Sequence, residues 1–513
     1  MTTVQSDGWE PEVVVIGSGI GGLATAARLA RHGVRVLVLE QHTVPGGSAS
    51  YFTRAGYRFD VGASLLYGLG TEGTVNFVAE ALAEVGETVE TRRDEVQIHY
   101  HLPDGLEIRT HYDREQFLDE LTRHFPQERA GIRAFYDAVQ DAYRVMARVP
   151  LIALDDVAGL VRGVATAPWD ALQMSRAALT TLGTLARRYL RDARLRRFID
   201  IEAFCWALTG ADATPLVNAA LVFGDRHVNG VRYPLGGCSV IAEKLAAGIE
   251  RHGGQVRYGS RVTAGLLDRG RARGVKLESG EVITARAIVS NATFWDTYGR
   301  LFREHPLAGV VFREQSLRYA QADSFTSLFG GVAAERLPPD TVVHHIVVND
   351  WDAYDRPRGM LFVSLPSLHD PSLAPPGRHN VHAFMVDRYD DWAALTQPAA
   401  NGGGVRRTPA YRAAKEAAAR HMLRMLERVI PDAAETVDVV SVGTPLTNER
   451  YLARVRGTYG PLLRRGSDIL LKPQSGSLIR GLYCAGDSCF PGQGVPSVAA
   501  SGLSCAARIL RDW

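Results

Sequence analysis

The chain has 513 residues, of which 46% are apolar and 22% charged. That balance excludes a disordered protein, and the length exceeds what one hydrophobic core supports, so two or three subdomains are expected. Its 58 basic and 56 acidic side chains nearly cancel, which removes nucleic acid as a partner at whole-chain level.

The cysteines, Cys205, Cys238, Cys484, Cys489 and Cys505, are scattered without metal-ligand or redox-pair spacing, so a reduced compartment and no metal site are expected. Met1 to Glu10 lacks the basic-then-apolar order of a signal peptide, and no run reaches the roughly 18 apolar residues of a membrane span. The expectation is a cytoplasmic protein, soluble or resting on one face of a membrane.

Taken in chain order, Val13–Ile16 is a continuous β-branched run, the pattern of a strand buried on both faces of a parallel sheet. Gly17-Ser18-Gly19-Ile20-Gly21-Gly22 breaks it, a helix is predicted over Leu23–His32, and a second buried strand over Val34–Leu39. This is one βαβ unit. Much later a helix is predicted from about Ser239 to His252, followed by short strands at Val256–Tyr258, Val262–Leu267, Gly274–Leu277 and Ala287–Ser290. Near the end come the apolar run Leu482–Ala485, a Gly/Pro-rich loop, and a helix from about Pro496. Three separated pieces therefore read as one nucleotide-binding layer, and the stretches between them as the place for a substrate region.

Gly17-x-Gly19-x-x-Gly22 between a strand and a helix fits a dinucleotide turn: the glycines permit a tight turn, close approach of backbone N–H groups to a pyrophosphate, and close helix packing. Glu40, ending the second strand, is placed to accept hydrogen bonds from an adenosine ribose. With Ala26, Leu29, Gly33, Val36 and the paired Gly46-Gly47 the pattern becomes GxGxxGxxxAxxLxxxGxxVxxxExxxxxGG. That long form resembles the dinucleotide-binding signature of the flavoprotein amine oxidase and phytoene desaturase superfamily, which implies FAD, held non-covalently.

By the same resemblance Gln41, Ser48 and Phe59-Asp60-Val61-Gly62-Ala63-Ser64 lie near the cofactor, the backbone of Val262 after Ser260-Arg261 meets the adenine, and Gly481-Leu482-Tyr483-Cys484-Ala485-Gly486-Asp487 is the second FAD motif. Gly494 and Val495 then open a helix toward the isoalloxazine. Ser48 stands where amine oxidases usually carry a basic residue, which argues against that branch. Gly486 to Val495, Asp225-Arg226-His227, Tyr233-Pro234-Leu235-Gly236-Gly237, Thr444-Pro445-Leu446-Thr447 and Gly457-Thr458-Tyr459-Gly460-Pro461 resemble the carotenoid cis–trans isomerase branch, related to retinol saturases and bacterial carotene desaturases.

The resemblance implies an α/β protein: a Rossmann-like FAD-binding domain of three-layer ββα type with an inserted substrate domain and a helical cap that can meet a membrane. The expected division is 12–65, 236–292 and 476–513 for FAD, 66–235 for the cap, and 293–475 for substrate. The implied ligand is an apolar polyene in a long tunnel, and isomerisation, saturation and desaturation of C=C bonds share one such architecture. His227, Tyr233, Thr447 and Asn448 are the polar candidates for chemistry, each equally readable as structural. Val145, Met146, Val149, Leu151, Ile152, Leu154, Val157, Leu160 and Val161 around Pro150, followed by Arg187, Arg188, Arg191, Arg194, Arg196 and Arg197, read as a surface for anionic headgroups, and equally as a helix-rich lid over a soluble substrate. A flavin-dependent oxidase or dehydrogenase of amines or natural-product intermediates, and a non-catalytic flavin-stabilised lipid carrier, are the rival readings. Oligomeric state is not legible.

Overall fold

The computed structural model describes residues 9–62, 64–72, 76–148, 165–398, 405–463 and 472–513. Five parallel strands form its central sheet, in the order Leu482–Cys484, Ala287–Ser290, Val13–Ile16, Val36–Leu39, Gln255–Arg257. Side chains alternate across a strand, and the apolar runs serve both faces. Val13 and Val15 pack with the helices Ile20–Arg31, Ser239–Arg251 and Val495–Asp512, whereas Val14 and Ile16 pack with Val262, Val275 and Phe302 on the other side. That other side is covered by a three-stranded antiparallel sheet, Val262–Asp268, Arg271–Leu277 and Val282–Thr284.

The first helix starts at Ile20, three residues before the periodicity predicts. Glycine disfavours helix interiors, but packing overrides that here. A Cβ at position 22 would lie 2.3 Å from the Gly17 carbonyl, and one at position 502, on the last helix, 2.2 Å from the Gly21 carbonyl. The bare backbones let the two helices touch, and Thr25 Oγ1 bridges them by donating to Gly21 O at 2.8 Å and Gly502 O at 3.1 Å.

A second, seven-stranded sheet runs Asp438–Gly443, Ser324–Ala333, Arg378–Asp387, Met360–Ser364, His344–Val348, Val96–His101, Glu107–His111. All its neighbours are antiparallel except His344–Val348 beside Val96–His101. The helix Pro409–Leu426 covers one face through Met422, Met425 and Leu426. The other face meets a group of helices that includes Arg114–His124, Arg129–Arg148, Ala193–Ala207 and Leu216–Phe223. No described helix is long and apolar enough to cross a membrane.

The helix–helix contact yields a stability test. Gly502→Ala should destabilise the protein by about 1–3 kcal/mol, the usual cost of overpacking, read as a lowered thermal midpoint. Gly309→Ala, where a Cβ meets nothing within 4 Å, should not lower it.

Candidate functional site

One cavity of about 1340 Å³ runs from the C-terminal edge of the parallel sheet into the space between the seven-stranded sheet and the helices. That exceeds the roughly 300–1,000 Å³ of a pocket for a single drug-sized ligand, so a large cofactor and a substrate can share it.

At the sheet end, two helices begin on the cavity wall. Neither Ile20–Arg31 nor Val495–Asp512 has a side-chain cap at its N-terminus, so the first-turn N–H groups, which in the second helix exclude Pro496, are left for an anionic phosphate and for charge on a reduced flavin. Gly494 reaches its place with φ of 96°, in the left-handed region that favours glycine. Glu40, 8% exposed, is pinned at the wall: its Oε2 accepts from Ser18 N at 2.9 Å and Ser18 Oγ at 2.7 Å, and its Oε1 from His42 N at 2.8 Å. Oε2 thus spends both lone pairs, and Oε1 retains one for a ribose hydroxyl. These features fit FAD.

Of the residues expected at the cofactor, Gly17, Gly19, Ile20, Gly21, Glu40, Gln41, Gly46, Gly47, Ser48, Gly62, Ser64, Val262, Gly486, Asp487, Gly494 and Val495 all border the cavity. Gly22 does not, in keeping with its packing against Gly17. Ala63 lies outside the described residues. Asp60 is the correction. Its carboxylate turns away from the cavity, accepting from Tyr233 Oη at 2.7 Å and Cys238 N at 2.9 Å. Burial pushes its pKa up to about 6. Asp60 therefore clamps the strand Tyr57–Asp60 to the 233–238 loop and positions Val61 and Gly62 indirectly.

The candidates for chemistry separate the same way. Tyr233, 1% exposed, is spent on Asp60. His227 donates from Nδ1 to the Tyr112 carbonyl at 2.8 Å, and burial beside Arg226 lowers its pKa to about 4. Neither borders the cavity. Thr447 and Asn448 do, but Asn448 Nδ2 donates to Ser324 Oγ and to the Phe325 carbonyl at 3.1 and 3.0 Å, while Thr447 Oγ1 completes a capping box with Thr444. Arg226 forms a fully buried ion pair with Glu202 at 2.6 Å, and its field is felt at the hydroxyl of Tyr67 on the cavity wall.

Charge near the flavin end is locked rather than free. Asp487 is ion-paired with Arg454, which also donates to the carbonyls of Thr458 and Tyr459 at 2.8 Å each. This knot is what the Gly457–Gly460 segment does.

Sequence reasoning missed several polar groups. His344 Nδ1 and Ser64 Oγ both lie 2.9 Å from Ser364 Oγ, His344 Nε2 sits 3.7 Å from Asp94, and Asp94 accepts from His369 at 2.7 Å. His382 stacks on Phe329 at 4.7 Å and has no hydrogen-bond partner for either nitrogen among the described residues, and burial lowers its pKa to about 3. Buried Lys472 is lowered to about 8 by desolvation, which Asp487 partly offsets. No local spacing marks these residues.

The rest of the cavity is apolar, walled by side chains including Leu65, Met146, Met174, Trp206, Phe325 and Phe362. Val145 and Met146, expected on an outer surface, instead face inward: Val145 is 5% exposed and Met146 borders the cavity. Val149, Pro150, Leu151, Ile152, Leu154, Val157, Leu160 and Val161 lie outside the described residues. In the arginine cluster, Arg187 is paired with Asp212 and Arg197 with Asp352. Beside it, Trp169, Leu172 and Leu179 on the helix Pro168–Leu179 are 63%, 42% and 67% exposed.

The family model for flavin-containing amine oxidoreductases matches residues 20–510. The chain is 40% identical over 519 residues to the chloroplastic prolycopene isomerase of Arabidopsis thaliana, covering 100% of this chain and 85% of that protein. It is 28% identical over 526 residues to the neurosporene-forming phytoene desaturase of Cereibacter sphaeroides, covering 95% and 92% of the two chains. An oxidoreductase of known structure from Methanosarcina mazei shares the fold, with a TM-score of 0.63 at 19% identity over 97% of this chain and 99% of its own. Two flavin motifs at opposite ends of the sequence, folded onto one cleft, agree with likeness along the whole length: the chain belongs to the flavin-containing amine oxidoreductase family, in the branch of the prolycopene isomerases and phytoene desaturases.

Proposed function

We propose that the protein is an FAD-dependent enzyme that changes the geometry of C=C bonds in a long acyclic polyene, a poly-cis carotene of the kind in the Arabidopsis relative's name. The observation that carries this reading is the single cavity in which the cofactor cleft opens directly into an apolar, aromatic limb. When bound, FAD supplies a reversible two-electron centre.

The chain's own residues do the rest. Amides of the Gly17–Gly21 turn would hold the pyrophosphate, Glu40 the ribose, the Val262 backbone the adenine, and the helix opening at Val495 would serve the flavin ring. A polyene offers no charged handle, so it is held by shape. Tyr67, Trp206, Phe325 and Phe362 present flat walls to its conjugated plane and exclude water. The ion pair of Asp487 with Arg454 keeps the nearest carboxylate engaged. In domain terms, 12–65, 236–292 and 476–513 hold FAD, while 66–235 and 293–475 enclose substrate.

The helix Pro168–Leu179 serves as the entry face. Trp169, Leu172 and Leu179 point outward while Met174 and Ala178 border the cavity, so one helix spans from a bilayer surface to the tunnel. The exposed apolar side chains of this helix support reading the enzyme as a peripheral membrane protein.

Three outcomes check these statements. Glu40→Ala should weaken FAD binding roughly ten- to a hundredfold, corresponding to about 1.5–3 kcal/mol for a lost charge-assisted contact, as measured by flavin retained after dialysis; full retention would free the adenosine half from Glu40. Dithionite-reduced enzyme under nitrogen should convert a poly-cis carotene to its trans isomers while oxidised enzyme does not, as followed by chromatography. Turnover by oxidised enzyme with consumption of an acceptor would indicate desaturation instead, and turnover confined to amines would refute the polyene reading. Replacing Trp169, Leu172 and Leu179 together with Ser should lower partition onto anionic vesicles at least tenfold, since a buried apolar side chain contributes about 1.5–3 kcal/mol, with FAD content unchanged.

A further inference from the structure

We propose that His99, His101 and His345 form a binding site for one divalent first-row transition-metal ion, with Glu107 as the acceptor that orients two of the rings. The site lies on the seven-stranded sheet and does not depend on the polyene reading. His99 and His101 alternate along the strand Val96–His101 and so leave the same face. His345, on the neighbouring parallel strand, is in register with His99, and Glu107, across the antiparallel pair, is in register with His101. The three histidines are 6%, 4% and 3% exposed, and one nitrogen from each lies within 4.8 Å of the others.

The hydrogen-bond inventory is one cation short. His345 Nε2 lies 3.0 Å from the Val342 carbonyl, which can only accept, so Nε2 carries that ring's hydrogen and Nδ1 is a bare lone pair. His101 faces an acceptor on both sides: its Nδ1 is 3.3 Å from Glu107 Oε1 and its Nε2 is 3.1 Å from the bare His345 Nδ1. A neutral imidazole has one hydrogen to give. The carboxylate is the stronger acceptor, which leaves two lone pairs pointed at each other. His99 repeats the pattern, giving Nε2 to Glu107 Oε2 at 3.1 Å and leaving Nδ1 bare.

A metal ion resolves this arrangement. Zinc–imidazole bonds of about 2.0–2.1 Å at tetrahedral angles put ligand nitrogens about 3.3 Å apart, close to the 3.1 Å between His101 and His345. Outer ring nitrogens donating to a carboxylate or a backbone carbonyl are the means by which metal-bound histidines are held in one tautomer. Imidazole ligands suit zinc, copper, iron and nickel. Of the nearby arginines, Arg109 is paired with Asp340, and Arg428 is turned to the carbonyls of Leu102 and Val348. The ion would pin together two strands drawn from distant parts of the sequence, Val96–His101 and His344–Val348.

The test uses tag-free, FAD-loaded protein, stripped with chelator and titrated with Zn²⁺ and with Co²⁺, whose visible absorption reports coordination. The expected result is about one equivalent bound, a tetrahedral Co²⁺ spectrum and a saturable rise in thermal midpoint. His101→Ala should weaken binding at least a hundredfold. Glu107→Gln alters a half-exposed side chain that folding does not require, and should weaken it roughly ten- to a hundredfold; it decides the matter alone if the alanine variant does not fold. Neither variant should change flavin content. Failure to bind either metal, which would leave a protonated His101 as the missing cation, or binding unaltered in Glu107→Gln, would overturn the proposal.

Discussion

Two helices start with unspent amides at the same end of one parallel sheet, and nearly everything else in the protein is arranged around keeping them there. An amide without an acceptor is costly in the interior, so the two N-termini are tolerable where an anionic cofactor supplies the acceptors. They can converge only because Gly21 and Gly502 bring backbone against backbone, with Thr25 bridging them. The glycines act as packing devices as much as turn formers, and the helix begins earlier than its periodicity suggests for that reason.

Around this cleft the protein keeps its charges occupied. Asp487 is tied to Arg454, Glu40 to Ser18 and His42, and Asp60 to Tyr233 and Cys238. The Arg226–Glu202 pair sits under the apolar limb. Burying such a pair costs desolvation that the mutual attraction only partly offsets, and removing one partner leaves an uncompensated charge.

The sequence made the cofactor half legible and left the substrate half obscure, for a physical reason. Phosphate binding needs glycines, a carboxylate and a helix start at short fixed spacings, and those are local signals that survive in one dimension. An apolar tunnel is assembled from single residues on strands and helices far apart, and Met146 or Phe362 carries no mark that separates a tunnel wall from a core. The motifs around Asp225 and Tyr233 stand out in the sequence, but their residues build clamps behind the cavity. Two of the polar residues that border it, His344 and His382, lie on different strands of the seven-stranded sheet and have no sequence signature.

The central sheet is closed by its strands from the far ends of the chain: Leu482–Cys484 adds to Ala287–Ser290, itself the neighbour of Val13–Ile16. A ribosome therefore exposes the largely apolar edge of Ala287–Ser290 for the time needed to synthesise almost two hundred further residues, because the segment that covers it is made that much later. Pairing over such separations is slow, and an uncovered edge is where chains stick to one another. Biogenesis of this protein should accordingly depend on chaperone protection during translation, and on the supply of cofactor just after release, more than on any property of the finished fold.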